Sequence, residues 1–482
     1  MTQKKNYILF ALIPIVVLLA LLALNVNIYE DNSSYGPNQI ALLFAAFIAA
    51  IVGIKHGFEW KHILKGIIDS ISTSMQAIII LLLIGALSGT WLISGVVPAM
   101  IYYGLDILQP SYFLVAACII SSIISLASGS SWSTIATVGI ALLAIGKVLG
   151  FSEGWIAGAV ISGAYFGDKM SPLSDTTNLA PAMAGTDLIT HIRYMALTTI
   201  PSITISLIVF LIYGWTLDTG NTSTDLTEVQ TAIANKFNIN FALFIVPAIV
   251  VTLIVKKVKA IPALFIGVLA GVLFAIIFQG DVIHSLIPKE ANFSNIWSEY
   301  YYVMINSMSS EINIVTENAI LNKLLRSSGM YGMLNTIWLI TCAMIFSGVL
   351  ESTKMLEAIS QAILKLAKSE TSLITSTVFS CIFFNTTASD QYLAIVVPGK
   401  MFSKAYKDKG LAPENLSRSL EDSGTVTSVL VPWNTCGVAQ SKILGVETLL
   451  YLPYCIFNWI SPIMTIIFAL FKIKIARLKE SK

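Results

Sequence analysis

Charge is scarce in this chain. Of 482 residues only 12% are Asp, Glu, Lys or Arg, about half the roughly 25% usual in a soluble domain. That shortage, with 56% hydrophobic residues, excludes an ordinary water-soluble enzyme and points to a chain whose solvent is lipid. No basic stripe interleaved with aromatics is present, which removes a nucleic-acid partner. No glycine-rich loop followed by Lys and Ser or Thr is present either, so nothing is built to cradle nucleotide phosphates. Energy must then come from ion gradients rather than from ATP, unless a separate subunit supplies it. The four histidines, His56, His62, His191 and His284, lie scattered near loops. The five cysteines, Cys118, Cys342, Cys381, Cys436 and Cys455, sit in apolar stretches without metal-ligand spacing. They read as small buried hydrophobes. A zinc or haem site is not expected, nor any cofactor, and no nucleophile–base pair suggests an enzyme.

What the chain does have is apolar runs, each near the 17–25 or so residues that cross a bilayer. They fall at 8–25, 40–54, 75–94, 111–127, 196–213, 241–255, 261–278, 334–350, 371–384 and 449–471. Polar-interrupted runs lie near 130–147, 155–183, 388–398 and 423–440. The expected fold is all-α, a polytopic helical membrane protein. The run from Ile8 to Leu24 follows Lys4-Lys5 as in a signal peptide, but it exceeds a 7–15-residue h-region or thereabouts and lacks a small-x-small cleavage site. It reads as the first membrane helix.

Loop charges set an expected topology. Lys4-Lys5, the Lys55 to Lys65 loop, His191 to Arg193, Lys256-Lys257-Lys259, Lys400 to Arg418 and the tail from Lys472 are basic. Glu30-Asp31, Asp106, Asp218 to Glu228 and Glu447 mark loops poor in Lys and Arg. The positive-inside bias then places both termini in the cytoplasm. Membrane lipid is the expected partner. Trp60, Trp91, Trp215 and Trp297 sit near run ends, where an interfacial aromatic belt belongs.

The most informative stretch is Gly167 to Asn178. Asp168, Lys169 and Asp175 lie there among Ser171, Ser174, Thr176, Thr177 and Asn178, around Pro172. On one continuous helix Asp168 and Asp175 would share a face about two turns apart, but Pro172 removes a backbone donor and breaks the helix. Broken helices free carbonyl oxygens at transporter binding sites, and carboxylate, hydroxyl and carbonyl oxygens suit hard cations. The plainer alternative is a polar loop in which Asp168 pairs with Lys169 and Asp175 caps a helix. A hydroxyl-rich break also follows an apolar run at Ser128 to Thr134, with Gly129 inside it. The second half offers Asn385, Thr386, Thr387, Ser389 and Asp390, then Glu421, Asp422, Thr425 and a break at Pro432. Ser88-Gly89, Ser128-Gly129 and Asp168 in the first half answer Ser347-Gly348, Asn385 to Asp390 and Asp422 in the second at similar spacing. Such internal repeats characterise many transporters, and these two halves are expected to be inverted, with broken or re-entrant helices at the ion site. The division expected is 1–65 N-terminal helices, 66–215 first repeat, 216–330 connecting helices and loops, and 331–482 second repeat with the C-terminal helix.

Several blocks resemble the NhaC-type sodium/proton antiporters of the ion-transporter superfamily. They are Gly89-Thr90-Trp91, Ser94-Gly95, Val97-Pro98, Met100 to Gly104, Ser128 to Trp132, Gly163 to Pro172 and Ser174 to Asn178, then Asn385, Asp390, Leu420-Glu421-Asp422 and Pro432-Trp433-Asn434. The resemblance implies secondary active exchange of Na+ for H+ across the cytoplasmic membrane. On this reading both ions compete for Asp168 and Asp175, with Na+ at that pair and Asp390 or Asp422 completing the site. Ser128, Ser171, Ser174, Thr176, Thr177, Asn178, Asn385, Thr386, Glu421 and Thr425 would support it, with Lys169 as charge partner. The same family takes in exchangers of malate and lactate, the alternative reading, with Lys169 or Arg193 as carboxylate anchor. A homodimer is compatible with either.

Overall fold

The computed structural model describes residues 2–29, 32, 33, 35–216, 226–256, 258–288, 291 and 293–478. The acidic loop at Glu30-Asp31, most of the loop from Asp218 and the basic Lys257 lie outside them. Among the described residues, eight helices are long and apolar enough to cross a membrane, or ten if two sharply bent helix pairs each count as one span. The only sheet among these residues is a two-residue antiparallel pair, Ile312–Asn313 with Arg326–Ser327. The protein is an all-α polytopic membrane protein.

Hydropathy marks the helices well and their ends less well. The run at 40–54 becomes Pro37–Lys55, whose first proline forfeits only a donor the helix start does not need. The run at 75–94 becomes Trp60–Ile93, because Lys61, His62, Lys65 and Asp69 hide its first turns from a hydropathy count. The run at 449–471 is bent by 56° between Thr448–Tyr454 and Ile456–Leu470. Trp60, Trp215 and Trp297 are exposed as interfacial aromatics. Trp91 is not a belt residue: it is buried, and its indole N–H donates to the Gly267 carbonyl at 3.2 Å. All five cysteines are free and buried.

A scaffold forms where Thr2–Tyr29, Pro37–Lys55, Trp60–Ile93 and Leu334–Ser352 pack together. Trp60–Ile93 and Leu334–Ser352 cross at Gly66 and Gly348, where a Cβ on Gly348 would stand 2.6 Å from the Gly66 carbonyl oxygen. Small residues at such crossings let backbones approach and gain dispersion contact, the main adhesive where lipid removes the hydrophobic driving force.

Against this scaffold lie two helical hairpins and two broken helices. The first hairpin is Pro110–Ser128 followed by Ser131–Thr134 and its continuation through Ile140–Val148. The second is Glu370–Thr387 with Gln391–Asp408. The first broken helix is Glu153–Met170 with Asp175–Ala184. The second runs from Pro413–Leu420 through a π turn, Glu421–Thr425, to Thr435–Leu444.

Helices Leu188–Thr216 and Ile456–Leu470 locate these pieces along one axis. At one end, Trp155 stacks between Tyr213 and Tyr454 with centroids 3.8 and 4.5 Å away, and Gly214 packs on Ser111. The first hairpin opens at that end. At the other, Thr371 Oγ1 donates to the Ala469 carbonyl at 2.9 Å, Arg477 pairs with Glu370 at 2.5 Å, and Tyr194 O–H donates to the Lys474 carbonyl at 2.6 Å. The second hairpin opens there. The two hairpins thus enter from opposite ends, and their tips meet the breaks of the two long helices between them.

Candidate functional site

The first half of the site is built by two helix breaks in contact. Pro110–Ser128 ends at Gly129, held at φ 68° with its Cα side against Leu173, where a Cβ would lie 2.7 Å from backbone. Only glycine meets both demands. Ser130 then caps the next helix by accepting from Ser133 N–H at 3.2 Å. This aims both donors of Ser131, its N–H at 3.0 Å and its hydroxyl at 2.7 Å, onto Asp168 Oδ2. Ser128 bonds back to the Ser125 carbonyl at 3.3 Å and takes no part in holding Asp168.

Pro172 sits in the break it predicted. Helix Glu153–Met170 stops, Leu173 N–H donates to Ser171 Oγ at 3.2 Å, and Ser174 caps the second half-helix through Thr177 N–H. The cap is Ser174, not Asp175. Thr177 O–H donates to the Lys169 carbonyl at 2.9 Å, and Asn178 donates to the carbonyls of Pro172 and Ser174 at 3.0 and 2.7 Å. These two therefore repair the backbone groups that the break frees. Ser174 Oγ lies 3.1 Å from Thr176 Oγ1, which in turn reaches across 3.0 Å to donate to Glu421 Oε1. Asp175 is exposed on the first turn of the second half-helix. It makes no hydrogen bond to the buried polar groups among the described residues, but it stands within electrostatic reach of Asp168 and Tyr392.

In the second half, Asn385 is the tie. Its amide donates to the Gly424 carbonyl at 2.7 Å and to Thr427 Oγ1 at 2.9 Å, and Asn434 donates back to its side-chain oxygen at 3.2 Å. Asp390 caps Gln391–Asp408 by accepting from Leu393 N–H at 3.0 Å, next to Ser389 at φ 58°. Thr386 bonds back to the Phe383 carbonyl at 2.7 Å. These residues hold the tip of the second hairpin against the unwound chain.

The π turn places Glu421 and Asp422 side by side, both fully buried. Such turns recur at functional sites because they redirect side chains a regular helix would stagger. Lys169, also fully buried, forms an ion pair with Asp422 and donates to Ser461 Oγ at 2.8 Å. Asp422 accepts further from Thr198 at 2.7 Å, from Ser461 at 3.4 Å and from Thr465. Glu421 has Thr176 on one oxygen; the hydroxyl of Thr425, on the same π turn, lies near the carboxylate, but neither it nor Glu421 Oε2 makes a hydrogen bond of good geometry.

The structure thus gathers Asp168, Lys169, Ser174, Thr176, Glu421 and Asp422, with Thr425 beside them. It uses Asn385, Asp390, Thr177, Asn178, Ser128 and Thr386 for local bracing, and leaves Asp175 exposed at the edge, within electrostatic reach of Asp168. Ser131 belongs to the hydroxyl-rich break read from the sequence at Ser128 to Thr134; Thr198, Ser461 and Thr465 were not singled out there. Asn458, Ser461 and Thr465 recur at helical spacing within an apolar run, a polar stripe that could have found the last two. Among the described residues no group of three or more His, Cys, Asp or Glu is arranged to hold a metal.

Residues 163–473 match the model of the Na+/H+ antiporter family. The Na+/H+ antiporter NhaC of Alkalihalophilus pseudofirmus is 34% identical over 97% of this chain and 96% of its own length. This chain belongs to the Na+/H+ antiporter family. The malate-2H+/Na+-lactate antiporter of Bacillus subtilis is 36% identical over 94% of this chain and 92% of that one. The arginine/ornithine antiporter ArcD of Halobacterium salinarum is 32% identical over 95% and 90%. Membership fixes a family of antiporters, and relatives named for different cargo resemble this chain to similar degrees.

Proposed function

We propose that this protein is a secondary active transporter, not an enzyme, that exchanges Na+ for H+ across the cytoplasmic membrane without a resident cofactor. The observation that carries this is Glu421: a fully buried carboxylate with one oxygen unpartnered, set where two broken helices meet. A carboxylate out of water must be paired, bound to a cation or protonated. Asp422 has its lysine; Glu421 does not. Sodium and a proton are alternative ways to complete Glu421, with Asp168, Thr176 and Thr425 supplying further oxygens, the ligand type hard cations prefer. This moves the second carboxylate of the pair from Asp175 to Glu421.

The opposite entry of the two hairpins supports an inverted repeat between 66–215 and 331–482, with 216–330 as connection and 1–65 as N-terminal helices. Inverted halves rocking about a central site supply alternating access. The end bearing Lys400, Lys404 and Lys409 would be cytoplasmic by the positive-inside bias, as would both termini.

A second reading, organic-acid exchange, draws on the malate–lactate relative and on a cavity of about 1050 Å³ whose walls include Lys147, Lys323, Arg326 and Lys442. Lys169 is a poor anchor for it, because Asp422 already holds its ammonium. Everted vesicles carrying the protein, energised to an acid interior and read with a pH dye, separate the two. Dequenching on Na+ alone is expected. Silence on Na+ with a response to malate or lactate would overturn exchange of Na+ for H+ as the main activity.

A further inference from the structure

Arg418 is fully buried, and none of its three guanidinium nitrogens has a hydrogen-bond acceptor. An arginine carries five donors and no route to neutrality, so complete burial without an acceptor is the least comfortable placement available to it. It is held instead between two aromatic faces, with its guanidinium carbon 4.5 Å from the centroid of Tyr194 and 5.6 Å from that of Phe468. Aromatic faces attract a cation but accept none of its in-plane hydrogen bonds.

The complementary vacancy lies one turn along the same helical stretch. Glu421 Oε2 is buried and makes no hydrogen bond of good geometry, with only the neutral hydroxyl of Thr425 near it, and residues three apart on a helix project as neighbours. No ion pair joins Arg418 to Glu421 among the described residues, although each lacks what the other carries. The surroundings explain the separation. Tyr194 is pinned by its hydroxyl to Asn415 Oδ1 at 2.5 Å and to the Lys474 carbonyl at 2.6 Å, so the cage is fixed to the start of Arg418's own helix and to the C-terminal segment. Glu421 is drawn the other way, toward Thr176 on the first broken helix. Lys169 is already taken by Asp422.

We infer that Arg418 is an internal counter-cation for Glu421, resting in the Tyr194–Phe468 cage while Glu421 holds a transported ion and moving onto the carboxylate when that ion has left. The inference rests on the exchange reading above and adds a device to it. An emptied Glu421 would otherwise cross the membrane interior as an uncompensated charge, which is costly. Arg418 removes that cost and at the same time competes with incoming Na+. It acts through Glu421 and is a positioning residue.

Competition gives two predictions of opposite sign. Arg418→Gln keeps a buried polar side chain but removes the competitor. Half-saturation by Na+ should fall about tenfold while maximal turnover falls by a similar factor, as expected when a competing paired state that is populated about nine-tenths of the time is deleted. Tyr194→Leu weakens the cage and drives Arg418 onto Glu421, so half-saturation should rise severalfold; Tyr194→Phe, which keeps the ring, controls for the lost hydroxyl. Arg418→Lys should restore turnover in part, since it returns the charge without the planar fork. The assay is Na+-dependent proton movement in vesicles over a range of Na+, normalised to inserted protein. In the double variant Arg418→Gln/Glu421→Gln, loss should be no greater than in Glu421→Gln alone. An unchanged half-saturation in Arg418→Gln, a lowered one in Tyr194→Leu, or multiplying losses in the double variant would each overturn the counter-cation role while leaving exchange intact. A wild type with no Na+-coupled proton movement would overturn both.

Discussion

Glu421 and Asp422 leave one π turn side by side and meet opposite surroundings. Asp422 accepts from an ammonium and three hydroxyls, all on helices that pack around it. Glu421 accepts one well-formed hydrogen bond, from Thr176 on the first broken helix, and its other oxygen has only the hydroxyl of Thr425 nearby, without good geometry. A carboxylate filled with fixed donors is a structural joint, because any new cation must displace partners it cannot outbid at once. A carboxylate left half-filled is a place for something that comes and goes. Burial is equal in the two cases, so the number of fixed donors, rather than depth, separates joint from site.

The comparison breaks most visibly at Lys169. Lys169→Ala strands Asp422 without its counter-charge, and removing one partner of a buried pair typically destabilises by about 3–5 kcal/mol. Thermal unfolding of the purified protein should register it, and Lys169→Met combined with Asp422→Leu should recover most of the loss. Stability unchanged in Lys169→Ala would mean that the pair is not the joint described. Glu421→Gln comes next and is expected to act on transport alone. The amide retains a hydrogen bond to Thr176, so stability should shift by less than about 1 kcal/mol. Proton movement on adding Na+ should fall about a hundredfold, equivalent to about 2.7 kcal/mol of lost ion interaction. Full transport by this variant would return the central role to Asp168 with another partner.

Much of the fold could be read from the sequence, because lipid imposes a simple rule: long apolar runs become helices. The first break was legible for an equally local reason, Pro172 with serines on both sides. The second was only partly so. Pro432 marks its far edge, but the chain departs from a regular helix already at Glu421, and a π turn has no proline to announce it. The Lys169–Asp422 pair joins residues 253 apart in sequence; nothing local hints at it, and Asp168 was the nearer candidate for that lysine. Asp390 and Asn385 were visible as polar residues in apolar company, yet a cap and a tie look the same in sequence as a ligand. What separates them is the direction of each side chain after two breaks, which only the packed structure fixes.

Smaller effects test the donor count. Thr465→Val keeps volume and removes one of four donors to Asp422. Because Lys169, Thr198 and Ser461 remain, the loss should sit toward the low end of the roughly 1–3 kcal/mol for a buried acceptor deprived of a partner. Na+ half-saturation should not move. A shift there, measured by the same vesicle titration, would mean that Asp422 shares the transported ion and that the two carboxylates are one site.

Asp175→Asn should do least, and for that reason it discriminates most sharply between spacing and geometry. On a continuous helix Asp175 would stand on Asp168's face two turns away, and its neutralisation would cripple exchange. In the structure the helix is interrupted at Ser171 to Ser174, the cap of the second half-helix is the Ser174 hydroxyl, and Asp175 is exposed at its first turn. A carboxylate there gains a surface helix-dipole contact and repels Asp168 weakly from the exposed side, so stability should stay within about 0.5 kcal/mol. Na+ half-saturation should stay within about twofold, equivalent to about 0.4 kcal/mol. If Asp175→Asn instead abolished exchange while Glu421→Gln spared it, Asp175 would have to turn inward in another conformation, and the half-filled carboxylate of the working cycle would belong to the first broken helix rather than to the π turn.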